Sequence, residues 1–160
     1  MENKLMSLEN TLVLIKPDAI QRNLSGKIIS RIEDTGLKII GLKMIRIDKN
    51  LAEKHYQEHK EKSFFENLVD FISSSPVVAI AINGPNSIQK IRTLMGQTNP
   101  QDSPPGTIRG DYGIDLERNL IHGSANHSDA KREIELFFDK KEIHNFEKSI
   151  DDWTGLTTEA

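Results

Sequence analysis

The sequence predicts an α+β protein in which short strands alternate with helices, and three observations lead there. Thr11-Leu-Val-Leu-Ile15 and Pro76-Val-Val-Ala-Ile-Ala-Ile82 are unbroken runs of aliphatic and β-branched residues, of strand length and bounded by breakers or turn residues. Between such runs lie segments whose apolar residues recur at helical spacing, such as Ala130, Ile134, Phe137 and Phe138. At 160 residues, with 36% hydrophobic and 28% charged content, the chain has the size and composition of one domain with its own core.

In order, the run at 11–15 reads as a central strand stopped by Lys16-Pro17, because proline cannot extend a ladder. After a turn, Ser25 is expected to cap a helix to about Asp34, with Ile28, Ile29 and Ile32 on one face and Gly36 ending it. Leu37 to Ile47 predicts a half-buried strand with a bulge and a solvated polar face carrying Lys38, Lys43 and Arg46. Two helical pieces, about Lys49 to Lys60 and Phe65 to Ser73, form a hairpin. The strand at 76–82 closes at Asn83-Gly84, and a helix over about Asn86 to Met95 carries Ile88, Ile91 and Leu94. From Gly96 to about Arg118 no periodicity persists, and Pro100, Pro104 and Pro105 mark a long functional loop. A strand at 119–123 and a helix over about Ser128 to Phe138 complete the pattern. This order is the ferredoxin-like plan, a β-α-β-β-α-β antiparallel sheet with added helices, expected to have its helices on one face. The single domain spans 1–160, with a core of about 10–148 and a polar tail at 149–160 that wraps the surface or frays.

A net charge of -3 without a basic stripe excludes a phosphate-backbone footprint, so no specific nucleic acid is expected. With no cysteine there is no disulfide, thiolate nucleophile or cysteine zinc site. Residues 1–8 lack an apolar signal core and no apolar run reaches membrane-spanning length, which leads to a cytoplasmic expectation and no membrane partner.

The chemistry centres on Asn119-Leu-Ile-His-Gly-Ser124 and Pro105-Gly-Thr-Ile-Arg-Gly-Asp111. His122 ends a strand and is followed by Gly123 and Ser124, which free the backbone to turn and expose the imidazole. A histidine is nucleophilic near neutral pH without a general base and needs only a group to hold its ring, for which Glu133 on the next helix is placed. Lys16, Arg92 and Arg109 sit where elements end or loops begin and can serve a phosphoryl group if they converge, each charge-assisted hydrogen bond contributing ~1.5–3 kcal/mol. Tyr56, Thr98 and Asn119 can donate to phosphate or sugar oxygens, and Phe64 can stack on a base. His55 and His59 are four apart on a helix, a metal-capable spacing, but no third ligand accompanies them, and His127 and His144 read as surface residues. The P-loop, G-x-G-x-x-G, kinase catalytic-loop and G-x-S-x-G frames are all missing, leaving a phosphohistidine as the best reading of any phosphate chemistry.

Lys16-Pro17-Asp18, His55-Tyr56, Phe64-Phe65, Thr98-Asn-Pro100, Thr-Ile-Arg-Gly-Asp111 and Asn-x-x-His-Gly-Ser124 resemble, in the same order, the motifs of nucleoside diphosphate kinases, over about residues 10 to 153. The resemblance implies ping-pong transfer of the γ-phosphate of a nucleoside triphosphate, usually ATP, to a nucleoside diphosphate, with His122 as the pros-phosphohistidine nucleophile. It assigns Glu133 to orienting that ring, and Lys16, Tyr56, Arg92, Thr98, Arg109 and Asn119 to nucleotide and phosphate contacts, with Phe64 on the base. Mg2+ would arrive on the nucleotide phosphates, with no protein metal cage, and base selectivity would be weak. A hexamer is the expected assembly, with a tetramer as its alternative. A catalytically silent nucleotide-binding or protein-interaction module of the same fold is the competing reading. The chain departs from the family pattern at Ala125, where Asp is usual after His-Gly-Ser, at Ala19, where Gly is common, and at Ser63, where Pro is common.

Overall fold

The computed structural model describes residues 8–154; the first seven residues and residues 155–160, where the N-terminal expectation and the end of the expected tail fall, lie outside them. Four strands, β1 (Leu8–Ile15), β2 (Lys38–Ile45), β3 (Val77–Pro85) and β4 (Ile121–Gly123), form one sheet in the order β2-β3-β1-β4. Every neighbouring pair is antiparallel, which is the ferredoxin-like arrangement the element order predicts.

The helices are not confined to one face. Along β1, Leu12 and Leu14 point into one core and Val13 and Ile15 into another, and all are fully buried. Val77, Ala79 and Ala81 of β3 likewise belong to one core, and Val78, Ile80 and Ile82 to the other. A one-sided antiparallel sheet would alternate apolar and polar residues, so these unbroken runs already require cover on both sides. Helices α2 (Ser25–Glu33) and α5 (Ser87–Met95) cover one face through Ile28, Ile32, Ile91 and Met95. The hairpin helices α3 (Lys49–His55) and α4 (Phe65–Ser73), with α7 (His127–Phe137), cover the other through Ala52, Phe65, Val69, Ile72 and Phe137.

Two short helices escape periodicity. In α1 (Pro17–Gln21), Pro17 is the first helical residue, where its missing N–H loses nothing, so the proline that stops β1 also starts a helix. In α6 (Ile108–Tyr112), inside the expected loop, the Thr107 hydroxyl accepts the Gly110 N–H at 3.0 Å as an N-cap. Gly110 is obligatory there, since a Cβ would lie 2.1 Å from the Pro104 carbonyl oxygen. Ser25 is not a cap but the first residue of α2, because Asn23 turns the chain with φ +56° and Leu24 already follows a near-helical path.

The bulge in β2 falls between Ile39 and Gly41. Its polar side is not uniformly solvated: Lys38 is buried, and its ammonium donates to Asp151 and to the Phe146 carbonyl, both at 2.7 Å. Among the described residues, the C-terminal segment up to α8 (Asp151–Thr154) lies on the surface and is anchored at Lys38. No helix among the described residues is long and apolar enough to cross a membrane.

Candidate active site

The end of β1, strand β4 and the start of α7 meet at His122. In the sheet His122 lies opposite Leu14, and the ring is half-buried with a quarter of its side chain accessible. Its Nε2 lies 3.0 Å from Glu133 Oε1, and the other carboxylate oxygen accepts the Ser124 hydroxyl proton at 2.6 Å. Ser124 Oγ in turn accepts the Leu12 N–H at 3.1 Å, so the carboxylate is tied to the central strand. Burial raises the Glu133 pKa, but the hydrogen bond and charge of His122, with the Ser124 hydroxyl, outweigh it and hold the carboxyl down at about 2. An ionised carboxylate can only accept, so Nε2 carries a proton, and in the neutral ring Nδ1 presents its lone pair.

The local backbone differs from the expectation. Gly123 makes no turn; it allows close packing, because a Cβ there would meet Met95 Sδ at 2.5 Å. The unusual conformation is at Leu120, with φ +74°. A leucine in that region is strained by roughly 1–2 kcal/mol, and hydrogen bonds hold it: its N–H donates to Asp18 Oδ2 at 3.0 Å and its carbonyl accepts the Lys16 N–H at 2.8 Å.

The cations converge. Lys16 is buried at the head of α1, its ammonium donating at 2.7 Å to both the Glu117 carbonyl and Asn119 Oδ1. Burial pulls its pKa down to about 8, with Arg109 adding to the effect and Asp18 opposing it. Arg109 is also buried and donates to the carbonyls of Asn119 (3.2 Å), Gly96 (3.3 Å) and Ile121 (2.6 Å), clamping β4 to the loop. Burial and then the neighbouring charge of Arg92, on the last turn of α5, lower its pKa to about 10. An ammonium has three N–H donors and a guanidinium five, so one on Lys16 and two on Arg109 remain for a ligand. Asn119 closes the network by donating to the Thr98 carbonyl at 2.9 Å, so Thr98 is tied in by its backbone while its side chain faces solvent.

On the other side, Tyr56 ends α3 beside His55, ring centroids 4.6 Å apart. Burial and then the Glu133 charge raise the phenol pKa, so the hydroxyl remains a donor. Phe64 is exposed, while Phe65 enters the core. His59 stands between the rings of Tyr56 and Phe64, 6.4 Å from one and 5.7 Å from the other.

The structure thus groups His122 with Glu133, and Lys16 with Asn119, Arg109 and Arg92, and leaves Phe64 at the open end. Ser124, Asp18, His55 and His59 were not singled out for this site by sequence. Ser124 had a signal in its adjacency to His-Gly, but its partner Glu133 lies nine residues away and is found only in the fold. A cavity of about 640 Å³ lies elsewhere, lined by Lys38, Ile40, Phe146 and Asp151 and by none of the site residues named above.

Residues 9–143 match the model of the nucleoside diphosphate kinase family. A nucleoside diphosphate kinase of Archaeoglobus fulgidus is 52% identical over 146 residues, 91% of this chain and 97% of the relative. One from Pelotomaculum thermopropionicum is 55% identical over 91% of this chain and 98% of its own length. Among solved structures, the halophilic nucleoside diphosphate kinase of Halobacterium salinarum in complex with CDP superposes with a TM-score of 0.90 at 48% identity, covering 92% of this chain and 99% of that one. The Borrelia burgdorferi enzyme, a transition-state mimic with bound vanadate and ADP, gives a TM-score of 0.88 at 36% identity, covering 94% and 98%. Carrying the matched domain on a ferredoxin-like sheet, this chain belongs to the nucleoside diphosphate kinase family and is a phosphotransferase acting on nucleotides.

Proposed function

We propose that His122 Nδ1 carries the phosphate between two half-reactions. In the first, the Nδ1 lone pair attacks the γ-phosphorus of a nucleoside triphosphate; the P–N bond forms as the bond from phosphorus to the β-γ bridging oxygen breaks, and the diphosphate leaves with that electron pair. In the second, a terminal oxygen of another nucleoside diphosphate attacks the phosphorus and the P–N bond breaks, restoring the neutral ring. No proton is transferred: the Nε2–H stays on the ring and donates to Glu133, whose charge stabilises the cationic phosphoimidazole. The observation that carries this reading is the 3.0 Å bond from Nε2 to an ionised, buried Glu133, which in the neutral ring leaves the opposite nitrogen bare.

The remaining donors of Lys16 and Arg109, with Arg92, neutralise the phosphates; Tyr56 and Asn119 add neutral donors, Thr98 supports Asn119, and Phe64 stacks on the base. The vanadate and ADP of the Borrelia relative and the CDP of the Halobacterium relative support both phosphate transfer and tolerance of the base. Mg2+ would enter on the nucleotide and would supply charge neutralisation at its phosphates. The described metal-capable group, His55, His122 and Glu133, is rich in imidazole and not the oxygen set a resident Mg2+ needs. We further propose a single domain over 1–160, a cytoplasmic location and a hexamer, with a tetramer as the alternative. Leu42 and Met44 on edge strand β2, and Ile114 and Leu116 in the loop, are exposed and available to subunit contacts.

Incubation with γ-labelled ATP tests the reading. Acid-labile label on the wild-type chain, discharged by a nucleoside diphosphate and absent from His122→Gln, is the expected result. Turnover persisting in His122→Gln would show that phosphate takes another route.

A further inference from the structure

Beside the proposed phosphate acceptor is a group of side chains that the transfer does not use as a group. His55, His122 and Glu133 each offer one ligand atom, and these atoms lie within 4.8 Å of one another. His55 is 3% exposed, and neither of its ring nitrogens has a hydrogen-bond partner. Leaving a buried polar group unpaired costs about 1–3 kcal/mol, yet this ring packs edge-on against His122 with centroids 4.7 Å apart. We propose that His55, His122 and Glu133 form a binding site for a zinc-class divalent transition-metal ion, whose occupation shuts off phosphoryl transfer.

Two imidazoles and one carboxylate are the donor set of many three-ligand zinc sites, with a fourth position left to water. Zn–N and Zn–O distances near 2.0–2.1 Å put tetrahedral donors roughly 3.3 Å apart. His122 Nε2 and Glu133 Oε1 already stand 3.0 Å apart, so only His55 has to close in. The ion takes the place of the proton between Nε2 and Oε1, and the neutral ring carries that proton on Nδ1 instead. Outer support is in place: Ser124 holds the second Glu133 oxygen at 2.6 Å and is itself held by the Leu12 N–H. The Arg132 guanidinium, 3.9 Å from Oε1, opposes the ion. Mg2+, a hard ion that prefers oxygen, does not compete for this set. With the ion on Nε2, Nδ1 carries the ring proton and has no lone pair to offer phosphorus, and the Glu133 charge is consumed. That inhibitory effect rests on the phosphohistidine reading; binding itself rests on the three side chains alone.

Calorimetric titration of the full chain with Zn2+ alone tests the binding, and Zn2+ inhibition under excess Mg2+ tests the consequence. The expected results are one ion per chain, intense visible bands with Co2+ in its place, and inhibition. In His55→Phe, which keeps a ring against Phe137 and Tyr56, affinity and inhibitory potency should both fall by at least about tenfold, whereas Arg132→Gln should bind more tightly. His55→Gln replaces the Phe variant if that does not fold. No binding, or binding and inhibition unchanged without the His55 imidazole, as for an ion on His59, His127 or His144, overturns the site. His55-dependent binding that leaves turnover unaffected overturns the inhibition and separately counts against His122 as phosphate carrier.

Discussion

Lys16, Arg109 and Asn119 are each tied to backbone carbonyls or to one another, whereas Phe64, proposed to stack on the base, is 46% exposed, with His59 as its ring neighbour at 5.7 Å. The two ends answer to different chemistry. Charge that moves during phosphoryl transfer is stabilised by donors already in place, since reorganising them in the transition state would raise the barrier. A base held by its π-face needs no fixed donor, and an adaptable ring accepts every base. Rigidity is placed where the reaction needs it.

The comparison breaks first at Glu133. Glu133→Gln removes the charge that holds Nε2–H and should lower kcat about 100-fold with a much smaller change in KM, as steady-state kinetics would show; equal kcat would mean that packing alone holds the ring. Lys16 comes next, through pH. Its pKa of about 8 means that the free protein loses this positive charge as pH rises through 8, so kcat/KM should fall above that point. The stability term has the opposite sign. Between about 8 and the ordinary lysine value of 10.5 the unfolded chain binds the extra proton, so this group stabilises the fold progressively as pH rises across that window. A rate profile that stays flat past pH 9 would place the phosphates elsewhere.

At the open end effects should be smaller and fall on binding. Phe64→Ala loses base stacking worth ~1–3 kcal/mol and should raise KM about tenfold, similarly for all four bases, leaving kcat near its starting value. A loss confined to one base would show that Phe64 recognises more than a π-face. Smallest of all is Ala125→Asp: Ala125 is exposed, and Glu133 already holds the ring, so restoring the family's carboxylate should change kcat only modestly. A large gain would show that the catalytic loop is impaired as it stands.

The same division governs what the sequence could reveal. The unbroken runs at 11–15 and 77–82 identify the central strands, and their lack of alternation implies cover on both faces, a consequence missed when helices were assigned to one. Helices α1 and α6 escaped because five residues are too few for periodicity and each contains a residue, Pro17 or Gly110, that usually marks a break. Lys16, His122 and Arg109 were legible from their places at strand ends and in the loop. That Arg109 also clamps β4 was not, because its partners are backbone carbonyls that any sequence supplies. His55 read as half of a helical pair with His59, but α3 ends at His55, and the fold sets its ring against His122.

The claim beneath all of this is that Glu133 holds Nε2–H and leaves Nδ1 to receive the phosphate. Nuclear magnetic resonance of the phosphorylated chain, labelled with 15N in its histidines, identifies the substituted nitrogen directly. Coupling of phosphorus to Nδ1 of His122 is the predicted result; phosphorus on Nε2, or on any other residue, would contradict it.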